Sequence, residues 1–313
     1  MKIMGLDVGL VRAATAVVAF ASALAACGGG GGGGGGDGGT GSTANASVSA
    51  ASVGPAKYAQ RLLLTISGSN LDRGLTVAAT GCDGVAPSTL PGQVSTATTA
   101  YFQCTVSAVG AGQFAVTRTS DGAALATATF SVPTPQVTMT LSNGAGVSGT
   151  ITVTLAPDKT PLTVDNFLAY VNAGFYDGTV IHRVSPGFVV QGGGYVAPVN
   201  TNTPTAKPTN APIALEVNKG LSNTQWTIAM ARHKDRSASA TSQFFINLAD
   251  NSASLDPSPI NGAGYAVFGS VSSGTSTVTS IAGAPCVVIE FFLATGECTP
   301  TPNVVVTAAV QTQ

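Results

Sequence analysis

The chain has 313 residues, 13 Lys and Arg against 14 Asp and Glu, a formal charge of -1, and only 9% charged residues. About a quarter is usual for a soluble domain, and this scarcity excludes a nucleic-acid footprint, a coiled coil and a long solvated helix. With 39 glycines, 17 prolines and abundant Ser, Thr, Ala and Val, the composition points to β-rich structure with many turns and room for two modest domains.

Lys2 and Arg12 give a basic start, and residues 13–26 form an apolar run interrupted only by Thr15 and Ser22. The run falls short of the ~20 residues that span a bilayer and fits the apolar centre of a secretory signal. It ends in Leu24-Ala25-Ala26-Cys27, which resembles the lipobox of bacterial lipoproteins. That resemblance implies removal of residues 1–26, acylation of Cys27 and a membrane attachment through the lipid. Gly28 behind the cysteine implies the outer rather than the inner membrane, in a cell-envelope protein facing the periplasm. Residues 28–36 are all glycine, so residues 27–51 read as a flexible linker with a root-mean-square reach of about 25–30 Å. A phosphate-cradling loop is the competing reading, but the Lys-Ser/Thr pair and the strand–helix setting it needs are missing.

Five cysteines occur. With Cys27 set aside, Cys82, Cys104, Cys286 and Cys298 fall into two local pairs, and an oxidising compartment favours the disulfides Cys82–Cys104 and Cys286–Cys298. No Cys-x-x-Cys and no His/Cys cluster is present, so neither a redox motif nor a metal site is indicated.

Residues 52–133 read as a small β-sandwich. Strands are expected over 62–68, 75–78, 100–106, 114–117 and 126–130, with Gly, Asn and Asp between them at about eight- to twelve-residue spacing. Ile66-Ser67-Gly68-Ser69-Asn70-Leu71 loosely resembles the first strand of immunoglobulin-like modules in bacterial surface proteins. No catalytic constellation occurs here, so a spacer or interaction module is expected. Pro133 and Pro135 mark its end.

Residues 134–313 carry the chemistry. Val137, Met139 and Leu141 alternate with polar residues, as do Ile151, Val153 and Leu155 after a turn at Asn143-Gly144, which predicts a hairpin. Thr160 as N-cap, Pro161 in the first turn and Gly174 past the end predict a helix. Its apolar stripe is Val164, Phe167, Leu168 and Val171. Val304-Val305-Val306 reads as a last strand, preceded by a hairpin that Cys286–Cys298 staples.

Between these elements lie Phe175-Tyr176-Asp177-Gly178-Thr179-Val180-Ile181-His182-Arg183-Val184, Pro186-Gly187-Phe188-Val189-Val190-Gln191-Gly192-Gly193-Gly194, Gly220-Leu221-Ser222-Asn223-Thr224, Thr227-Ile228-Ala229-Met230-Ala231-Arg232, Ser239-Ala240-Thr241-Ser242-Gln243-Phe244-Phe245-Ile246-Asn247 and Gly264-Tyr265-Ala266-Val267-Phe268-Gly269. In order and spacing these blocks resemble the cyclophilins, the peptidyl-prolyl cis-trans isomerases, and Tyr265 is similar to the bacterial branch. The resemblance covers most of 136–285. It implies a mainly β fold: a closed eight-stranded antiparallel β-barrel with two capping helices, here behind the small β-sandwich. It also implies proline-containing polypeptides as partners and a monomer that uses no cofactor. The matching positions make Arg183, Phe188 and Gln191 catalytic, and Val189, Ala231, Phe245, Leu255 and Tyr265 substrate-binding.

The chemistry suits these residue types. Rotating an X-Pro amide costs about 18–20 kcal/mol because resonance is lost, and uncatalysed exchange takes ~10–100 s. A catalyst needs no nucleophile. It needs a donor for the twisted amide and an apolar pocket for the ring, and Arg183 with its charged rigid fork is the expected donor. His182, next to Arg183, is expected on the opposite face of the strand as a structural histidine. His233 sits in a polar loop, His233-Lys234-Asp235-Arg236. With two histidines and no Gly-x-Ser-x-Gly elbow, a serine hydrolase is not indicated, and Gly192–Gly194 lacks a dinucleotide fingerprint.

Some positions depart from the family pattern. Ser254 stands where an aromatic usually covers the proline pocket, which lowers the activity expected. A module that binds proline segments with little turnover is therefore the rival reading. Trp226 replaces a residue that is commonly small. The Pro-rich stretches 195–212 and 256–264 are long enough to rim the groove and change its selectivity.

Overall fold

The computed structural model describes residues 44–200, 203–289 and 296–313. The expected signal segment, Cys27 and the glycine run lie outside the described residues. Seven strands come first: β1 (Ser47–Val53), β2 (Arg61–Ser69), β3 (Leu75–Thr80), β4 (Cys82–Pro87), β5 (Thr99–Val106), β6 (Gly110–Arg118) and β7 (Ala124–Val132). They form a four-stranded sheet, β1-β2-β5-β4, and a three-stranded sheet, β3-β6-β7. Leu62, Leu64 and Ile66 of β2 and Phe114 and Val116 of β6 are buried, at the period of two that one dry sheet face demands. The Cys82–Cys104 disulfide joins β4 to β5, with Cα atoms 5.8 Å apart.

Two of these strands are missing from the sequence expectation. β1 starts at Ser47, inside the stretch read as linker, so the sandwich begins ahead of residue 52. Its Ser and Ala side chains carry little strand signal. β4 contains Asp83, Gly84 and Pro87, which read as turn residues, and its ladder to β5 slips between Asp83 and Ala86.

The second part contains β8 (Gln136–Ser142), β9 (Ser148–Leu155), α1 (Pro161–Asn172), β10 (Thr179–Ser185), β11 (Val189–Val196), β12 (Thr227–Met230), β13 (Phe244–Asn247), α2 (Ser252–Leu255), β14 (Val267–Ser273), α3 (Thr275–Ala282), β15 (Cys286–Val287), β16 (Thr299–Pro300) and β17 (Val304–Gln311). Eight strands close in the order β10-β11-β13-β12-β14-β9-β8-β17. This is the expected antiparallel barrel, and closure leaves it no open edge. The two expected helices are α1 and α3, and the single-turn α2 is additional. Val164, Phe167, Leu168 and Val171 of α1 are all buried. Phe167 meets Phe268 at 5.0 Å and Tyr176 at 5.3 Å between ring centroids.

The start of α1 corrects one expectation. Thr160 makes no side-chain cap. The orphan N–H groups of Leu162 and Thr163 instead donate to the Glu216 carboxylate at 3.3 and 2.8 Å, where a negative charge also suits the helix dipole. At the other end Gly174 takes φ 66, the left-handed turn that a side chain would strain.

The sandwich and the barrel meet at Gln311. Its buried amide donates to Tyr58 O at 2.9 Å and accepts from Gln60 Nε2 at 2.8 Å and Asn172 Nδ2 at 3.1 Å. Lys57 Nζ donates to the Gln311 carbonyl at 3.1 Å. The joint is polar, and its central amide is bonded on both sides, as burial requires.

Candidate active site

The site follows from strand register. Arg183 of β10 opposes Gln191 of β11, Gln191 opposes Phe245 of β13, and Phe245 opposes Ala229 of β12. Residues paired in this way share a face, so the four side chains form one row across four strands. The neighbouring row, Val190, Ile246 and Ile228, belongs to the main core. Val189, Ala229, Phe245, Leu255 and Val267 form a second, smaller cluster, against which Phe188, Ala231 and Tyr265 pack.

Above this cluster lies a groove of about 460 Å³. All eight residues expected in the site line it: Arg183, Phe188, Gln191, Val189, Ala231, Phe245, Leu255 and Tyr265. Phe245 and Tyr265 meet edge to face at 5.6 Å, and the Arg232 guanidinium lies 4.7 Å over the Tyr265 ring. The pocket walls are held from behind. Buried Asn251 donates to Phe188 O at 2.8 Å, and Asp256 accepts from Asn223 N and Nδ2, each at 2.8 Å.

The polar side of the groove is a chain of side chains. Arg183 Nη1 donates to Gln191 Oε1 at 2.9 Å, and Gln191 Nε2 donates to Gln243 Oε1 at 2.9 Å. Gln243 hydrogen-bonds His182. Gly194 makes room for this relay, because a Cβ there would sit 2.6 Å from Gln243 Nε2. His182 also borders the groove, against the expectation that it faces away from Arg183. The ladder slips between Ile181 and Arg183, which breaks the simple alternation. Burial pushes the His182 imidazole down from 6.5 to about 3, so the ring stays neutral at neutral pH.

Sequence reasoning missed the partner on the far side of Arg183. Glu297 takes Nε–H at 2.8 Å and also pairs with Nη2. The carboxylate arrives on the segment closed by the Cys286–Cys298 disulfide. No local signal marks it, since 114 residues separate the two.

The family follows from here. Residues 136–310 match the model described as "Cyclophilin type peptidyl-prolyl cis-trans isomerase/CLD". The chain is a cyclophilin. It is 48% identical over 134 residues to peptidyl-prolyl cis-trans isomerase A of Dickeya dadantii, covering 43% of this chain and 66% of that protein. It is 47% identical over 137 residues to peptidyl-prolyl cis-trans isomerase cyp18 of Streptomyces antibioticus, covering 44% and 79%. A solved cyclophilin type isomerase of Cryptosporidium parvum aligns with a TM-score of 0.43 at 19% identity, covering 57% of this chain and 98% of that one.

Within the cyclophilin barrel, the departures have these positions. Ser254 is exposed on α2, and Leu255 and Tyr265 line the groove beside it. Trp226 packs against the main core and its backbone N–H donates to Asn247 O at 2.9 Å. Of the two long loops, 195–212 contributes Tyr195 to the groove, whereas among the described residues none of 256–264 lines it and Tyr265 follows directly after.

Proposed function

We propose that this cyclophilin isomerises X-Pro bonds of cell-envelope proteins and so assists their folding. The observation that carries this reading is the row Arg183–Gln191–Phe245–Ala229, which sets a charged fork beside an apolar floor. The proline ring sits on Phe245, Val189 and Leu255, between Phe188 and Tyr265. Arg183 donates to the amide as it twists out of conjugation, and Gln191 holds the fork and the substrate backbone. Donors already in place cost no reorganisation at the moment of rotation, which is why one of them is worth a few kcal/mol. The groove needs no cofactor for this step.

The envelope setting is supported by the lipobox-like Leu24-Ala25-Ala26-Cys27 and by two disulfides, which persist in oxidising compartments. Acylation at Cys27 and a place on the outer membrane belong to the same proposal, with residues 44–132 as an immunoglobulin-like spacer on a monomer. Radiolabelled palmitate incorporated into the wild type and lost in Cys27→Ser checks the anchor.

The rival, a module that binds proline segments with little turnover, is favoured by exposed Ser254 in place of a covering aromatic. One experiment decides between them. NMR exchange of a short X-Pro peptide is followed with full-length wild type and Arg183→Ala. Acceleration by the wild type, reduced about 100- to 1,000-fold in the variant, supports the isomerase. Binding with exchange left at the uncatalysed rate supports the rival.

A further inference from the structure

The Arg183 fork has five N–H donors. Glu297 takes two of them, on Nε and Nη2, and Gln191 takes one on Nη1. The remaining two, one on each terminal nitrogen, have no partner among the described residues. Glu297 is not carried on a free loop. Cys298, the next residue, exchanges both backbone hydrogen bonds with Val184 at 2.7 and 3.0 Å, beside Arg183. Thr299 Oγ1 donates to His182 O at 2.7 Å, and the disulfide ties Cys298 to Cys286. The Glu297 side chain is only 9% exposed, against 22% for Arg183. A carboxylate held this firmly is part of the groove wall.

We propose that Glu297 is a specificity-determining residue: a fixed counter-ion that sets the plane of the Arg183 guanidinium and cancels its charge, so that the groove does not select acidic proline-containing segments. The inference rests on the reading of Arg183 as the donor to substrate. Among the described residues, the charges lining the groove are Arg183, Arg232 and Glu297. Arg232 is engaged with the carbonyls of Gly264, His233 and Lys234 at 2.7, 2.9 and 2.8 Å. Those carbonyls fix Arg232 in place and leave its charge the same with or without Glu297, so a change at Glu297 alters the field of Arg183 alone. A bare guanidinium there would attract Asp or Glu beside the proline and repel Lys or Arg.

The test uses the full-length protein and three capped peptides, identical except for Glu, Gln or Lys at the residue before proline. In wild type the kcat/KM values for the Glu and Lys peptides are expected within about threefold of each other. Glu297→Gln keeps the shape and removes the charge. It is expected to raise the Glu-to-Lys ratio by about 5- to 10-fold, mainly through KM, as one uncompensated charge near a surface does. The shift should shrink in about 0.5 M salt. Glu297→Asp retains the charge and should keep the wild-type ratio. A ratio that stays put in Glu297→Gln, a loss shared equally by all three peptides, or the same shift in Glu297→Asp overturns the proposal. Dissociation constants from chemical-shift titration read the same ratio without turnover. If the wild type binds but does not isomerise, the enzyme reading fails while a moved ratio still upholds Glu297.

Discussion

The strands of the sandwich and those beneath the groove bury themselves differently. β3 shows alternating half-buried and exposed positions, whereas all four residues of β13 are buried. An antiparallel strand with one wet face should alternate. β13 does not, because Phe244 and Ile246 enter the main core while Phe245 joins the small cluster under the groove. The sandwich buries its apolar residues mostly on one side, and its other side is largely Thr, Gln and Ser with half-buried Leu63 and Tyr101. The barrel wall spends them on both sides, and the second side is where a ligand finds apolar surface. Two-sided burial, with the second face covered only in part by Leu255 of α2, is therefore a structural mark of a binding groove.

The largest expected effects test that contrast directly. Phe114→Ala in the sandwich and Phe245→Ala in the barrel each remove a buried ring and should each lower stability by about 3–5 kcal/mol in urea titrations. At a temperature where both variants remain folded, only Phe245→Ala should also raise KM for an X-Pro peptide. Equal KM values would mean that the second apolar face is structural alone. Next in size is Arg183→Lys, which keeps the charge and loses the fork. Isomerisation should fall about 10- to 100-fold, with a stability loss of about 1–3 kcal/mol as bonds to Glu297 and Gln191 are given up, whereas Arg118→Lys, on β6 of the sandwich, should leave the rate alone.

A smaller effect is expected from pH. The His182 imidazole is lowered by burial to about 3 in the folded chain against 6.5 ordinarily, so between those values the unfolded chain binds the extra proton. Its contribution to stability is complete above about pH 6.5 and is lost as pH falls toward 3, at up to about 1.4 kcal/mol per pH unit. Urea midpoints from pH 4.5 to 6.5 measure the slope, and His182→Gln should flatten it. The smallest change expected is at the joint. Gln311→Ala leaves the partners of its amide unpaired and should cost about 1–3 kcal/mol by urea titration, without altering the rate on a short peptide.

The closed barrel was expected from the resemblance to the cyclophilins, and local patterning by itself marked only some of its elements. The stripe of α1, the alternation of β8 and β9, and the block around Arg183 and Gln191 each lie within a few residues. The eight groove residues could be named through their matching positions in the family, but not their common row, since the register that aligns Arg183, Gln191 and Phe245 is a tertiary property. What stayed hidden was supplied from far away in the chain. Glu216 caps α1 from about fifty residues downstream, and Glu297 reaches Arg183 across the disulfide loop. β1 and β4 were obscured by small and turn-forming residues that tertiary pairing overrides.

The position of β17 has a consequence for how the molecule is made. This strand fills the gap between β8 and β10, and Thr307 bonds Thr140 across 167 residues of sequence. Until residues 304–311 are available, a growing chain can form only an open sheet with two bare edges. Such edges invite pairing with other chains, and contacts this distant in sequence form slowly. The sandwich, complete by Val132, has no such wait, so in vectorial synthesis a folded leading module would hold an unfinished one. The barrel that carries the groove would depend on one late event, the docking of β17.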